Sequence, residues 1–367
     1  MGILQPIWDG TFVYREPVCF SADKDGRPTG GTLLYQPEEI LSVTSFDGSV
    51  FYQPVRDYTA NGRQLVRTEA SRIPYLERSV YCKPFTGVPE TAWVRLSGGK
   101  AYMEVVSDVY RWQTLVTYTH RDKWAGFQPE ACGESLPRSM EKLRAGGDFH
   151  LTLYGDSITA GWEASGCNER AIDMVTLGEY HVSLWHAPYQ PAWAELVTNA
   201  LQARYPQSNV IKTNRAAGGS TVQWGVEHAA ELVPPCKPDL IMLGFGMNSM
   251  QESAEDYRRA ILSIIRTIRK ECHDCEFVLM SPMIPNPEIK GFQNNQLPAQ
   301  QDVLYQIAAE LEGVCIAPVH SVFREMTARG KHYLELTGNC INHPNDFSVR
   351  VYAQTVLRTL GVDGNDG

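Results

Sequence analysis

A serine that follows a strand and a tight turn is suited to acyl-transfer chemistry, and residues 151–161 have that form. The apolar run Leu151–Tyr154 leads into Gly155-Asp156-Ser157 and then Ile158-Thr159-Ala160-Gly161. The pattern predicts a strand-to-helix turn that projects the Ser157 hydroxyl beyond a sheet edge, with the N–H groups of the helix start aimed at whatever it attacks. A serine hydroxyl is a weak nucleophile until a base takes its proton, so the chemistry requires partners elsewhere in the chain. Three later segments offer them. Asn214-Arg-Ala-Ala-Gly218-Gly219-Ser220-Thr221 and Gly244-Phe-Gly246-Met247-Asn248-Ser249 each follow a predicted strand, and Asn342-His343-Pro344-Asn345-Asp346 leads into the last predicted helix. Together they supply backbone N–H groups at glycines, a side-chain amide and an imidazole: two oxyanion donors and a base.

Such loops need a scaffold that brings them to one place. From Phe149 onward strands and helices alternate. Strands are predicted near 149–154, 208–213, 239–244, 276–282 and 314–318, and helices near 191–205, 221–232, 252–271, 298–312, 319–329 and 346–360. In the helix at 252–271, Tyr257, Ile261, Ile264, Ile265 and Ile268 share one face. Alternation of this kind implies an α/β fold, a parallel sheet with helices on both faces and its ligand site at the carboxyl ends of the strands. The order of the loops matches strands one, two and three of a flavodoxin-like, three-layer αβα sheet.

The chain ahead of this domain differs in texture. Residues 31–35, 49–52, 92–96, 101–106 and 113–118 are short runs rich in β-branched and aromatic residues, punctuated by Asp47-Gly48, Asn61-Gly62 and Gly98-Gly99. They predict a smaller all-β, jelly-roll-like sandwich over residues 1–135, a linker with one helical turn over 136–148, and the catalytic domain over 149–362.

At these four blocks the sequence resembles the SGNH (GDSL-type) serine hydrolases, and the resemblance spans residues 149–360, roughly three fifths of the chain. It implies Ser157 as nucleophile, His343 as general base, and an oxyanion hole formed by the N–H of Ser157, the N–H of Gly219 and the side-chain amide of Asn248. Each well-aimed donor in such a hole is worth roughly 3 kcal/mol in the transition state. The chain departs from the family pattern at three places. The acid usually found three residues before the histidine is Cys340 here; Ser249 replaces the aspartate after the oxyanion asparagine; Ala216 stands where glycine is common. Glu335, Asn339 or a main-chain carbonyl is left to orient the imidazole, or the enzyme works as a Ser-His dyad. A β-rich domain ahead of such a hydrolase, with the acid missing, is similar to carbohydrate esterases of the family-2 kind. That similarity implies removal of O-acetyl groups from carbohydrates through an acyl-enzyme, with acetylated mono-, oligo- or polysaccharides as substrate and no metal or organic cofactor.

The long stretch 162–190 carries Trp162, Tyr180, Trp185 and Tyr189, and Trp224 follows the second block. Aromatic faces there suit sugar rings, and Trp162, Trp185 and Trp224 are candidate substrate-binding residues. Asp156 reads as a turn former, Asp346 as the cap of the last helix, and Cys272-His273-Asp274-Cys275, a single Cys pair, as a surface turn rather than a zinc site. Two other functions compete: a short-chain lipid acylhydrolase or thioesterase, and a glycan-binding protein whose hydrolase domain has decayed.

Composition narrows the field. A net charge of −9 with no basic run argues against nucleic-acid or anionic-membrane partners. No apolar run approaches the roughly 18 residues of a membrane span. The nine cysteines, odd in number and scattered, fit reduced thiols. No signal peptide is visible in the N-terminal residues, so the cytoplasm is the expected location, or the exterior for a chain whose signal has been removed.

Overall fold

The computed structural model describes residues 3–23, 25–78, 109–289 and 292–362, together with the backbone of three short strands, Lys83–Pro84, Trp93–Arg95 and Ala101–Glu104. Its centre is a five-stranded parallel sheet of β1 (Gly147–Gly155), β2 (Ser208–Asn214), β3 (Leu240–Gly244), β4 (Glu276–Met280) and β5 (Val314–Ala317), in the order β2-β1-β3-β4-β5. β1 pairs with β2 on one side and β3 on the other, so the first two loops at its carboxyl end are its immediate neighbours.

Burial on both faces explains why β3, β4 and β5 read as near-continuous apolar runs, while β2, at the sheet edge, is partly exposed. Leu151, Leu153, Met242 and Val278 face one core with α2 (Trp193–Arg204), α6 (Val319–Ala328) and α8 (Asp346–Leu360); Tyr154, Ile241, Leu243 and Phe277 face a second with α3 (Val222–Leu232), α4 (Ala254–Arg269) and α5 (Leu297–Glu310). The expected face of α4, Tyr257, Ile261, Ile264, Ile265 and Ile268, is buried, and Ser253 caps the helix by accepting from the Asp256 N–H. This is the three-layer αβα arrangement. The stretch expected as a linker with one turn instead forms α1 (Pro137–Ala145), which buries Met140 and Leu143 under the sheet. Among the described residues no helix is long and apolar enough to cross a membrane.

The N-terminal region is built on antiparallel pairing. Phe12–Ala22 pairs with Gln113–Thr119, which pairs with Glu39–Ser45, and Tyr58–Asn61 forms a hairpin with Gln64–Arg67. Two expected strands, 31–35 and 49–52, are not strands; they make single bridges, Thr32 to Gln64 and Phe51 to Thr44. The side chains of Leu33, Leu34 and Tyr35 are buried as their apolarity demands. Two of their N–H groups, however, are satisfied by side chains: Leu34 N–H donates to Glu16 and Tyr35 N–H to the Tyr118 hydroxyl, while Leu33 N–H donates to Arg63 O. Gly98-Gly99 lies outside the described residues.

One apolar core runs through both regions, from Val18, Phe20 and Tyr118 to Val349 and Ala353. Lys331 sits at the join, fully buried, its ammonium 3.0 Å from Glu16 and 3.4 Å from Glu335 and donating to the carbonyls of Pro17 and Thr32. Burial works against that charge, but the two carboxylates hold the Lys331 pKa above its ordinary value.

Candidate active site

At the carboxyl end of β1 the backbone is locked to its neighbours. Asp156 N–H donates to Gly244 O at 3.1 Å, and Gly155 O accepts from Ala217 N–H at 2.9 Å and the Ser220 hydroxyl at 3.1 Å. Gly155 has no substitute here: a Cβ would lie 2.2 Å from Gly244 O and 2.3 Å from the Thr159 hydroxyl. Asp156 turns its carboxylate onto the N–H groups of Ile158 and Thr159, at 3.0 and 3.4 Å. Complete burial is the main force on that carboxyl and pushes its pKa up to about 6.

The expected helix start after Ser157 is absent. Residues 157–163 form hydrogen-bonded turns instead, with Trp162 N–H returning to Ser157 O at 3.1 Å, and the left-handed backbones of Gly161 and Glu163 break any helical run. Trp193 of α2 steadies the turns by donating its indole N–H to Ile158 O at 2.9 Å. Ser157 is left 6 % exposed.

The structure brings His343 to this serine: Nε2 lies 2.8 Å from Ser157 Oγ. Its loop is closed by a bridge between Thr337 and Pro344 and by Gly338 N–H on His343 O at 2.9 Å. α7 (Tyr333–Leu336) precedes it, and the support comes from the N-terminal region. The buried Gln113 amide donates to Leu334 O and Thr337 O at 2.7 and 2.8 Å and accepts from Asn345 at 3.0 Å.

Of the two candidate orienters, the structure sets Asn339 on the ring and Glu335 away from it. Glu335 Oε1 accepts from the N–H groups of Cys19 and Gly31, and Oε2 accepts from His332 N–H and faces Lys331. The expectation that Glu335 orients the imidazole is therefore corrected: its carboxylate is consumed by the join between the two regions. Asn339 Nδ2 is 2.9 Å from His343 Nδ1, while Asn339 Oδ1 accepts from the N–H groups of Ile341, Asn342 and His343. Those three donors fix which way the amide faces, so its NH2 points at the ring. An amide nitrogen only donates; Nδ1 therefore accepts in this arrangement, and a neutral ring carries its proton on Nε2, toward Ser157. Cys340, at the family's acid position, holds a left-handed backbone and buries its side chain in an apolar cluster with Cys19, Leu76 and Leu334.

The oxyanion candidates sit on loops tied to the nucleophile strand. Gly219 adopts φ +79°, with open space where a side chain would stand. Asn248 is exposed and donates one amide hydrogen to Ser220 O at 3.0 Å, leaving its second for another acceptor. Ser249, where the family has aspartate, accepts Val222 N–H at 2.9 Å and so binds the third loop to the second.

The candidate substrate-binding tryptophans part company. Trp162 stands 5.6 Å from the His343 ring, edge to face, and its own ring presses on Gly218. Trp185 is 64 % exposed beside Tyr189, on a loop whose His186 stacks on Tyr110 of the N-terminal region at 4.2 Å. Trp224 is buried in the helix layer against Tyr154, its indole N–H given to Met174 O. The expectation that Trp224 lines the pocket is corrected, because helical phase turns it toward the sheet. Asp346 is likewise not the cap of α8; Asn345 caps it, and Asp346 accepts from the N–H and hydroxyl of Ser165. The segment Cys272–Cys275 forms a turn between α4 and β4, and among the described residues no group of three or more side chains is arranged to hold a metal. Sequence reading passed over Glu163, 3.9 Å from His343 Nδ1, and Gln113, because nothing local distinguishes either residue.

The family model of the GDSL-like lipase/acylhydrolases matches residues 153–348, just over half of the chain. Among solved structures, similarity extends to a two-domain esterase active on acetylated mannans, co-crystallised with mannopentaose (20 % identity, 63 % of this chain and 54 % of that chain, TM-score 0.46). An acetylxylan esterase from Geobacillus stearothermophilus is similar over 59 % of this chain and 96 % of its own, at 20 % identity and TM-score 0.46. An α/β hydrolase from the metagenome of Lake Arreo, Spain, is similar over 61 % and 100 %, at 20 % identity and TM-score 0.45. No curated protein matches the sequence significantly.

Proposed function

The chain belongs to the GDSL-like lipase/acylhydrolase family, and on that premise we propose that it is a serine esterase that removes small acyl groups, acetyl above all, from carbohydrate hydroxyls. The observation that carries the reading is the 2.8 Å contact between Ser157 Oγ and His343 Nε2. In this mechanism His343 takes the Ser157 proton as Oγ bonds to the ester carbon. The tetrahedral oxyanion is received by the N–H groups of Ser157 and Gly219 and the Asn248 amide. His343 then gives the proton to the departing sugar oxygen, and water repeats the sequence to release acetate.

A small acyl group is favoured by Trp162, whose ring stands against both His343 and Gly218 and takes up space beside the base. The exposed pair Trp185 and Tyr189 supports a carbohydrate, since flat faces stack on sugar rings. A second reading, a short-chain lipid acylhydrolase, draws on the exposed Met174 and Val175 in the same long loop.

Acetate release from acetylated xylo-oligosaccharides and from p-nitrophenyl acetate tests the proposal. Ser157→Ala is expected to lower kcat by about 10³-fold or more. Equal rates in both proteins would overturn the esterase reading, and faster cleavage of butyryl than acetyl esters would favour the lipid one.

A further inference from the structure

This inference rests on the serine-esterase reading and concerns the charge that supports its base. We propose that Glu163, in the turn behind the nucleophile, is the carboxylate that positions His343 through Nδ1, standing in for the acid that Cys340 replaces. Glu163 Oε1 lies 3.9 Å from Nδ1, and both side chains are largely buried, 13 % and 12 % exposed.

Asn339 cannot fill that role. A ring ready to accept the Ser157 proton on Nε2 carries its own hydrogen on Nδ1, and so does the imidazolium that follows. Either state sets N–H against N–H at the Asn339 amide, whose oxygen is already engaged by three backbone donors. Asn339 thus favours a resting ring protonated on Nε2, and the working ring turns to Glu163. A shift of about 1 Å closes the present gap to hydrogen-bond distance. During the reaction one proton passes from Ser157 Oγ to Nε2 as the Oγ–carbon bond forms. Nδ1 keeps its proton throughout.

The chain is shaped around this carboxylate. Glu163 holds a left-handed backbone at φ +70°, which is costly for any residue but glycine and persists where the surroundings require it. Across from it Gly338 leaves the needed room: a Cβ there would meet Glu163 Cβ at 3.0 Å and Oε2 at 3.3 Å. Asp156, from the end of β1, also bears on the ring, and its carboxylate is taken up by the N–H groups of its own turn. The histidine loop adds only neutral neighbours, Asn339 and Asn342, with Cys340 turned into its apolar cluster.

The test follows the His343 ring by NMR, alongside kcat and KM for acetyl ester hydrolysis, in wild type, Glu163→Gln, Glu163→Asp and Ser157→Ala. Glu163→Gln is expected to lower kcat by about 100-fold with KM within about two-fold, and to move the ring's NMR signals toward the tautomer protonated on Nε2. In the Glu163→Gln background, Asn339→Asp, which offers Nδ1 a carboxylate from the other side, is expected to recover at least about ten-fold of that loss. Wild-type kcat and unmoved ring signals in Glu163→Gln, with Ser157→Ala inactive, would overturn the inference. An active Ser157→Ala would sink the esterase reading instead, while the ring signals still decide the role of Glu163. Should Glu163→Gln fail to fold, Glu163→Asp decides: a several-fold lower kcat with displaced ring signals supports the role, and no change in either refutes it.

Discussion

Ser157 and His343 meet at 2.8 Å, yet the two sides of that contact are held by different means. The serine ends a central strand, and backbone bonds to adjacent strand ends hold its turn, from Asp156 to Gly244 and from Ala217 to Gly155. The histidine sits on the loop between α7 and α8. Side chains remote in sequence support that loop: Gln113 on Leu334 and Thr337, and Glu335, through α7, on Cys19 and Gly31. A nucleophile held by the sheet inherits the stability of the sheet, whereas a base held across a join is only as well placed as that join. The N-terminal region is thus part of the support for the base and more than an appendage.

Three measurements would break or sharpen this contrast, beginning with the largest expected effect. Lys331→Met strands Glu16 and Glu335 without their cation, and urea unfolding is expected to show a loss of about 3–5 kcal/mol. An unchanged midpoint would mean that the buried triad does not hold the join. On the nucleophile side, the raised pKa of Asp156 carries a definite sign. The protonated group favours the fold below about pH 4, and that contribution is lost as pH rises through about 6. Stability curves of wild type and Asp156→Asn should therefore diverge by about 2–3 kcal/mol between those limits; parallel curves would refute the shift. Gln113→Ala touches only the histidine side. It leaves two carbonyls and one of the two Asn345 amide hydrogens without a partner, at a cost of about 1–3 kcal/mol, with a several-fold fall in kcat and little change in KM. Full kcat in a destabilised Gln113→Ala would separate loop stability from catalysis and dissolve the comparison.

The same division governs what could be read in advance. The parallel strands and helices were legible because each is long and periodic enough to declare its own burial, α4 being the plainest case. The N-terminal region was read less well. Segment 31–35 is apolar because it is buried, but Glu16 and Tyr118 satisfy two of its N–H groups, and that arrangement leaves no local trace. Ser157 and His343 were visible in short motifs. Glu335 and Trp224 were misplaced because a carboxylate or an indole near a motif carries no label for which neighbour will claim it: Lys331 and three N–H groups claimed one, and the helix layer the other.

By itself the sequence determined the strands and helices of the parallel-sheet domain, their order and the serine, glycine, asparagine and histidine carried by their loops, because periodicity and turn chemistry act over a few residues. Only the tertiary structure decided which groups surround the imidazole. Hydrogen bonds and ion pairs require approach within a few ångströms, and residues as distant in sequence as Gln113 and Thr337 reach it only once both regions are packed.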